Sequence, residues 1–447
     1  MLADWYARRM YAWETALTTR DENRIVRPLE WGFDWLSGAR GLHASESMHG
    51  APVRIPESGE GVLPLIGDLV GADVGTHVSE ARHGAPRSVA DEDAEEALAE
   101  WNQAVIRDSD AFFAYDTPTD FRLEERFPEL FPTNVRPETL AQAAKLREDA
   151  AAGRLKKEPF LRFTSPERTP YPENDQVNAR WYAADPEKQE GKPKQAIIVM
   201  PQWNADAFSH NVLCKLFNMF GISALRLSKP YHDIRRPAEL ERADYAVSAN
   251  LGRTISACRQ AVVDIRSCLD WLEMQGYEQF GVLGTSLGSC YAFNATAHDP
   301  RLQVCAFNHA SMRFGDVVWT GQSTRHIRAA FDPILTQERL NRLWAAVSPI
   351  SYMEKFSADP KKVLLVYATY DLSFLPEYSR EVVKYFTQYG LDFVSKVLPC
   401  GHYTTGETPY EFLDGWYLGS FVYNAFKALA EGELPRPRRG VGEMQAR

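Results

Sequence analysis

The stretch GVLGTSLGSC, residues 281–290, decides the reading of the fold. Its first residues continue an apolar run that starts near Gln279, and the segment that follows, LGSCYAFNATAH, is patterned as a helix. A strand that passes into a helix over so few residues forces the residue at the bend into a strained backbone conformation. It also brings the bend's neighbours against other segments, where a Cβ would clash. Gly284 and Gly288 remove those clashes. The strain lifts the Ser286 hydroxyl clear of the sheet and aims the N–H of Leu287 at whatever that hydroxyl attacks. G-x-S-x-G therefore reads as the turn of a nucleophilic serine, provided that a strand precedes it and a helix follows.

The surrounding sequence supplies that context. From residue 158 onward, PFLRFTSP, QVNARWYAA, QAIIVMP, ISALRLS, QFGVLG, LQVCAFN, KVLLVYAT and DFVSKVLP read as strands. Helical patterns lie between them, at residues 206–221 and over the long segment 248–276, where Ala257, Ala261, Ile265 and Leu269 share a face. Such alternation predicts an α/β fold with a mainly parallel sheet covered by helices.

Residues 1–150 read as a helical extension. Its parts are an aromatic helix over residues 1 to about 37, a polar Gly/Ser/His/Pro linker over 37–61, an acidic helix at 91–108 whose charges are expected on a solvated face, and a further helix at 136–153. The main body is expected over 158–430, with a small cap inserted at about 309–356. Residues 431–447 are expected to form a flexible tail.

Composition narrows the function. A chain of 447 residues with 45% hydrophobic residues can bury a large core, and a net charge of −10 argues against nucleic acid as a partner, despite the local RPRRG at 436–440. The six cysteines, at 214, 258, 268, 290, 305 and 400, stand singly and read as buried thiols of a reducing compartment. No zinc-site spacing occurs. The N-terminus has no apolar signal-type core, and no run approaches the roughly 20 apolar residues that span a bilayer. A cytoplasmic location is expected, with peripheral membrane contact through the aromatic helix as the alternative; docking of that helix on the protein is favoured, because Glu14, Asp21 and Glu22 dilute its basic character. A homodimer is left open.

A nucleophilic serine needs a base and an acid, and the resemblance of G-x-S-x-G to the α/β-hydrolase serine turn implies that they follow downstream in the order Ser, Asp, His. His402, in SKVLPCGHYTTG, follows the last predicted strand on a loop loosened by Gly401, and can reach the serine proton. Asp371, in KVLLVYATYDLSF, follows the preceding strand and can orient the imidazole; Asp316 and Asp299 are its rivals. An oxyanion needs two backbone N–H donors. Leu287 supplies one, and Gln202 or Trp203, in VMPQWNADAF, the other.

In this order the residues resemble the α/β-hydrolase superfamily over about 158–430, and more narrowly the α/β-hydrolase-domain-containing and dienelactone-hydrolase-like serine hydrolases. The matching residues are KPYHDIRRP (Pro230, Tyr231, Arg235), GTSLG and GHYTTG. The chain departs from the lipase pattern at the oxyanion strand, where P-Q-W-N stands instead of H-G-G-G. The resemblance implies acyl transfer through Ser286, His402 and Asp371 with no metal or organic cofactor. The expected activity is hydrolysis of a small-molecule acyl ester or lipid. A peptidase or acyltransferase using the same triad, or a non-catalytic binding protein, remains open. Tyr231, Trp319 and His326 are candidate pocket residues, and Met312 lies on the same insertion.

Overall fold

The computed structural model describes residues 2–21, 23–36, 89–134, 136–332 and 334–433. The linker expected at 37–61 and nearly all of the tail expected at 431–447, including RPRRG, lie outside the described residues. One nine-stranded sheet organises the chain: β1 (Arg122–Arg126), β2 (Glu158–Thr164), β3 (Gln176–Tyr182), β4 (Gln195–Met200), β5 (Ser223–Leu227), β6 (Gln279–Thr285), β7 (Leu302–Asn308), β8 (Lys362–Ala368) and β9 (Asp392–Leu398). Their spatial order is β1-β2-β3-β5-β4-β6-β7-β8-β9. The pairs from β5 through β4 to β9 are parallel, and β1, β2, β3 and β5 pair antiparallel.

Successive residues of the central strands feed opposite faces, as the two-residue period of a strand requires. Ile198, Met200, Val282, Cys305, Phe307 and Leu365 join one buried cluster. Ile197, Val199, Leu283, Val304, Ala306 and Val366 join the other. Both faces are covered, so these strands read as unbroken apolar runs.

The helices that matter to the site are α1 (Leu2–Thr19), α2 (Val89–Arg107), α3 (Leu251–Met274), α4 (Leu287–Ala297), α5 (Phe314–Thr320), α6 (Arg325–Phe331), α7 (Gln337–Leu343) and α8 (Tyr410–Ala430). α3 is buried almost all round, not on one face alone. Its polar side is sealed by the N-terminal region: Arg259 Nε donates to Phe112 O at 2.6 Å and Arg266 Nη1 to Phe113 O at 2.7 Å. On the same helix Asp264 pairs with Arg235 at 2.8 Å, both fully buried. Arg235 also donates to the carbonyls of Asn174 and Ser228, so it anchors the turn after β5.

The N-terminal region departs from the helical expectation in three ways. The first helix, α1, stops at Thr19 instead of running to about residue 37, and no helix follows among the described residues of 20–32. Residues 122–126, a charged segment, form an edge strand of the main sheet; charges on an edge strand discourage further pairing. The acidic helix α2 is not simply solvated, because Glu95 is buried and pairs with Arg339 of α7. α1 docks on the body, as favoured from its sequence: Tyr6 donates to Pro399 O at 2.5 Å and Tyr11 packs edge-on against Tyr370.

Candidate active site

Strain collects at one edge of the sheet. Among the described residues, the non-glycines with positive φ are Asn204, His210, Tyr231, Asp233, Ser286 and His309. All six lie in the connections that leave the C-terminal ends of β4, β5, β6 and β7. β4 runs on to its neighbour β5 on one side, and β5 then crosses to β6 on the other, so the chain changes direction between β4 and β6. Such a switch point leaves a crevice outside the strand ends.

Ser286 sits there, at φ 57° and ψ −120°, between β6 and α4. A Cβ on Gly284 would overlap the Gly288 backbone, and one on Gly288 would overlap the Met200 and Pro201 carbonyl oxygens. The two glycines thus let α4 begin hard against the end of β4. Leu287 is the first residue of α4, where N–H groups have no intrahelical acceptor. Across from it, the turn carrying Gln202 and Trp203 is pinned by three hydrogen bonds. Lys229 Nζ donates to Gln202 O at 2.9 Å, Trp203 Nε1 to Ala243 O at 2.9 Å, and Asn204 N to His232 Nε2 at 3.1 Å.

His402 follows β9 and Asp371 follows β8. His402 Nε2 lies 3.0 Å from Ser286 Oγ, and His402 Nδ1 lies 3.0 Å from Asp371 Oδ2. Asp371 is buried and ionised: burial pushes its pKa up, but the charge of His402 and hydrogen bonds from His309 and His402 hold it well below the carboxylate range. The acid can then only accept, so Nδ1 of His402 carries a proton and Nε2 is left to accept from Ser286. Burial alone would lower the His402 pKa; the Asp371 carboxylate and Glu14 outweigh it and raise it.

Three participants escaped the sequence reading. His309, after β7, is buried and its Nδ1 lies 2.9 Å from the same Asp371 Oδ2. Phe374 stacks flat on His402, with ring centroids 5.3 Å apart. Glu14 of α1 reaches the backbone of the His402 loop. The ring nitrogens and carboxylate of His309, Asp371 and His402 lie within 4.8 Å of one another, close enough to ligate a metal ion. As arranged, however, Oδ2 takes two imidazole donors and Nε2 of His402 faces the serine, which is an order suited to moving a proton. The rival acids are engaged elsewhere: Asp316 accepts from Gln337 and Asn341, and Asp299 from Arg301 and Arg266.

A cavity of about 50 Å³ opens on Ser286. Its walls include Trp203, Leu287, Phe374, and Phe314 and Val318 of α5, which lies in the insertion between β7 and β8. The candidate pocket residues fare differently. Tyr231 is fully buried among Tyr171 and Tyr245, away from this cavity, because its left-handed turn folds the ring inward. Trp319 packs beneath Arg328 and does not line the cavity, although its neighbours Val317 and Val318 do. His326 stands one layer back, stacked on Trp203 at 6.0 Å, and burial with Arg242 and Arg24 pushes its pKa down to about 3. A larger cavity, about 570 Å³, lies between β1 and the helix Pro137–Ala151 and shares no residue with the one at Ser286.

The sheet order, the switch point and the strained serine turn define an α/β-hydrolase fold. No family model matches the chain. An uncharacterized 31.7 kDa protein of Escherichia coli, from the traX-finO intergenic region, is 35% identical over 83 residues, covering 18% of this chain and 28% of that protein. Similar solved structures include acetyl xylan esterase 1 from Thermoanaerobacterium sp., at 13% identity over 76% of this chain and 96% of that one, with a TM-score of 0.46. A Pyrococcus furiosus esterase is 13% identical over 60% and 92%, with a TM-score of 0.42. The acylaminoacyl peptidase of Pyrococcus horikoshii is 12% identical over 67% and 46%, with a TM-score of 0.46. Among the described residues, no helix is long and apolar enough to cross a membrane.

Proposed function

We propose that the chain is a serine hydrolase that cleaves carboxylic esters carrying a short acyl group. The observation that carries this reading is the continuous hydrogen-bonded line from Ser286 Oγ through His402 to Asp371, with both contacts at 3.0 Å. In the proposed reaction Ser286 Oγ attacks the ester carbonyl carbon while its proton passes to His402 Nε2. The oxygen that becomes negative is met by the N–H of Leu287 and by that of Gln202 or Trp203. Collapse expels the alcohol, which takes the proton from His402. Water then enters by the same route, frees the carboxylic acid and restores the serine. The narrowness of the cavity at Ser286, about 50 Å³ against about 570 Å³ for the one between β1 and the helix Pro137–Ala151, supports a short acyl group.

The test is labelling by a fluorophosphonate probe, together with turnover of p-nitrophenyl acetate through decanoate, for the native chain and Ser286→Ala. Labelling of the native chain alone, and turnover that falls as the acyl chain grows, are expected. Absence of labelling, or Ser286→Ala retaining more than about one per cent of native turnover, would refute the serine assignment.

A further inference from the structure

The N-terminal helix reaches the back of the proposed active site through one buried carboxylate. Glu14 of α1 is wholly buried. Its Oε1 accepts from the N–H of Tyr403 at 2.9 Å, and its Oε2 accepts from the N–H of Thr404 at 3.0 Å and the Thr404 hydroxyl at 3.2 Å. These are the two residues directly after His402. A Cβ on Gly401 would overlap the carboxylate, so the residue before His402 is a glycine where Glu14 must approach. The same helix also fastens the start of this loop, with Tyr6 donating to Pro399 O at 2.5 Å, and holds the insertion between β7 and β8, with Thr18 donating to Gln322 at 2.6 Å. A buried carboxylate that holds two backbone N–H groups is a strong local restraint, because charge-assisted bonds are about twice as strong as neutral ones.

We infer that Glu14 is a positioning residue for the proposed hydrolase reaction, fixing the loop that presents His402 to Ser286 and adding negative charge behind the imidazole. The inference rests on the ester-hydrolase reading above. It gives the N-terminal helix a part in the chemistry, since a loop displaced by about 1 Å can cost on the order of 10²-fold in rate. The titratable groups around His402 are Asp371 from the loop after β8, His309 from the loop after β7, Glu14 from α1 and Tyr403 of its own loop, with Cys400 facing Glu14 and Asp371. Beyond Tyr403 stand Arg24 and Arg242. Of these, Asp371 and Glu14 favour the imidazolium; burial raises the pKa of Glu14 itself, and its bonds from Tyr403 and Thr404 and the charge of His402 oppose that rise.

The experiment compares the full chain with Glu14→Gln, Glu14→Asp and Ser286→Ala, using p-nitrophenyl acetate across pH and a thermal melt of each variant. Glu14→Gln turns one acceptor into a donor facing backbone N–H groups and removes the charge. It is expected to lower kcat about 10- to 100-fold with little change in KM, and to move the acid limb of kcat/KM to lower pH. Glu14→Asp keeps the charge but is too short to hold both N–H groups, so kcat should fall about fivefold or more while the acid limb stays in place. A residue that merely held the fold would shift the melt and leave the acid limb unmoved in both variants. Native kcat and pH profile in a folded Glu14→Gln, beside an inactive Ser286→Ala, would overturn the inference alone. If Glu14→Gln does not fold, native kcat in Glu14→Asp overturns it. An active Ser286→Ala would instead strike the underlying reading.

Discussion

Replacing Asp371 by Asn tests the proposed mechanism at the point where the geometry constrains it most. The carboxylate takes four donors: the backbone N–H groups of Ser373 and Phe374 reach Oδ1 at 2.8 and 2.7 Å, and Nδ1 of His309 and of His402 reach Oδ2 at 2.9 and 3.0 Å. An amide of the same shape must place its NH₂ toward one of these pairs, so two donors confront a donor whichever way it turns. If the NH₂ faces the histidines, Nδ1 of His402 can bond only as an acceptor, Nε2 then carries the proton, and Ser286 has no base. If it faces Ser373 and Phe374, the turn that holds the acid is broken and the carbonyl oxygen at the histidines is uncharged. In the first orientation kcat should fall about 10⁴-fold, or about 5.5 kcal/mol in barrier. Stability should also fall, because hydrogen bonds to a charged acceptor contribute about 1.5–3 kcal/mol each. Steady-state release of p-nitrophenol, normalised by active-site titration and accompanied by a thermal melt, measures both. Asp371→Asn retaining a tenth of native turnover, or Asp316→Asn proving the more damaging change, would refute the reasoning.

The raised pKa of His402 places the acid limb of kcat/KM above the ordinary imidazole value of 6.5, because the base must be neutral and activity is lost as pH falls through the folded pKa; a limb centred below that value contradicts the arrangement. Trp203→Ala removes a wall of the cavity and should raise kcat/KM for p-nitrophenyl hexanoate relative to the acetate about tenfold; an unchanged ratio places the acyl group elsewhere. Asp414 has a buried oxygen without a partner, and burial lifts its pKa to about 7. Its folded pKa lies above the unfolded one, so the native state holds the extra proton and stability declines as pH rises from about 4 to 7. Asp414→Asn should therefore stabilise the chain at pH 8, on the order of 2 kcal/mol, and flatten that slope in denaturant titrations.

What was legible in the sequence was local. Apolar runs marked the strands, and two glycines around one serine marked a turn whose strain depends on its own neighbours. Asp371 and His402 were legible because each follows a strand that its own residues announce. His309 follows β7 in the same way, yet it reads as one more loop histidine, since its partner is set by β7 lying beside β8, and lateral strand order is not written in either strand. Glu14 lies 389 residues from Tyr403, and an acidic residue on an aromatic helix carries no mark of the loop it will hold. The strand RLEER has no apolar alternation of its own and exists because β2 offers it an edge. Tyr231 misled for a related reason: its positive φ turns the ring into the core instead of the crevice.

The two histidines on one carboxylate oxygen divide the labour of charge. Both imidazoles donate to Asp371 Oδ2, but a second positive charge beside the first would be repelled across rings only 4.4 Å apart. Burial and the neighbouring His402 push the His309 pKa down, whereas Asp371 and Glu14 outweigh burial at His402 and push that one up. His309 is thus kept as a neutral donor. It fixes the acid from the β7 side, while Ser373 and Phe374 fix it from its own turn. In the proposed reaction a neutral His309 leaves the carboxylate's negative charge available to the imidazolium that would form on His402 as it takes the serine proton. A lone carboxylate held only by its own turn could orient the base from one side; here four donors on three chain segments leave it no rotation that keeps its bonds.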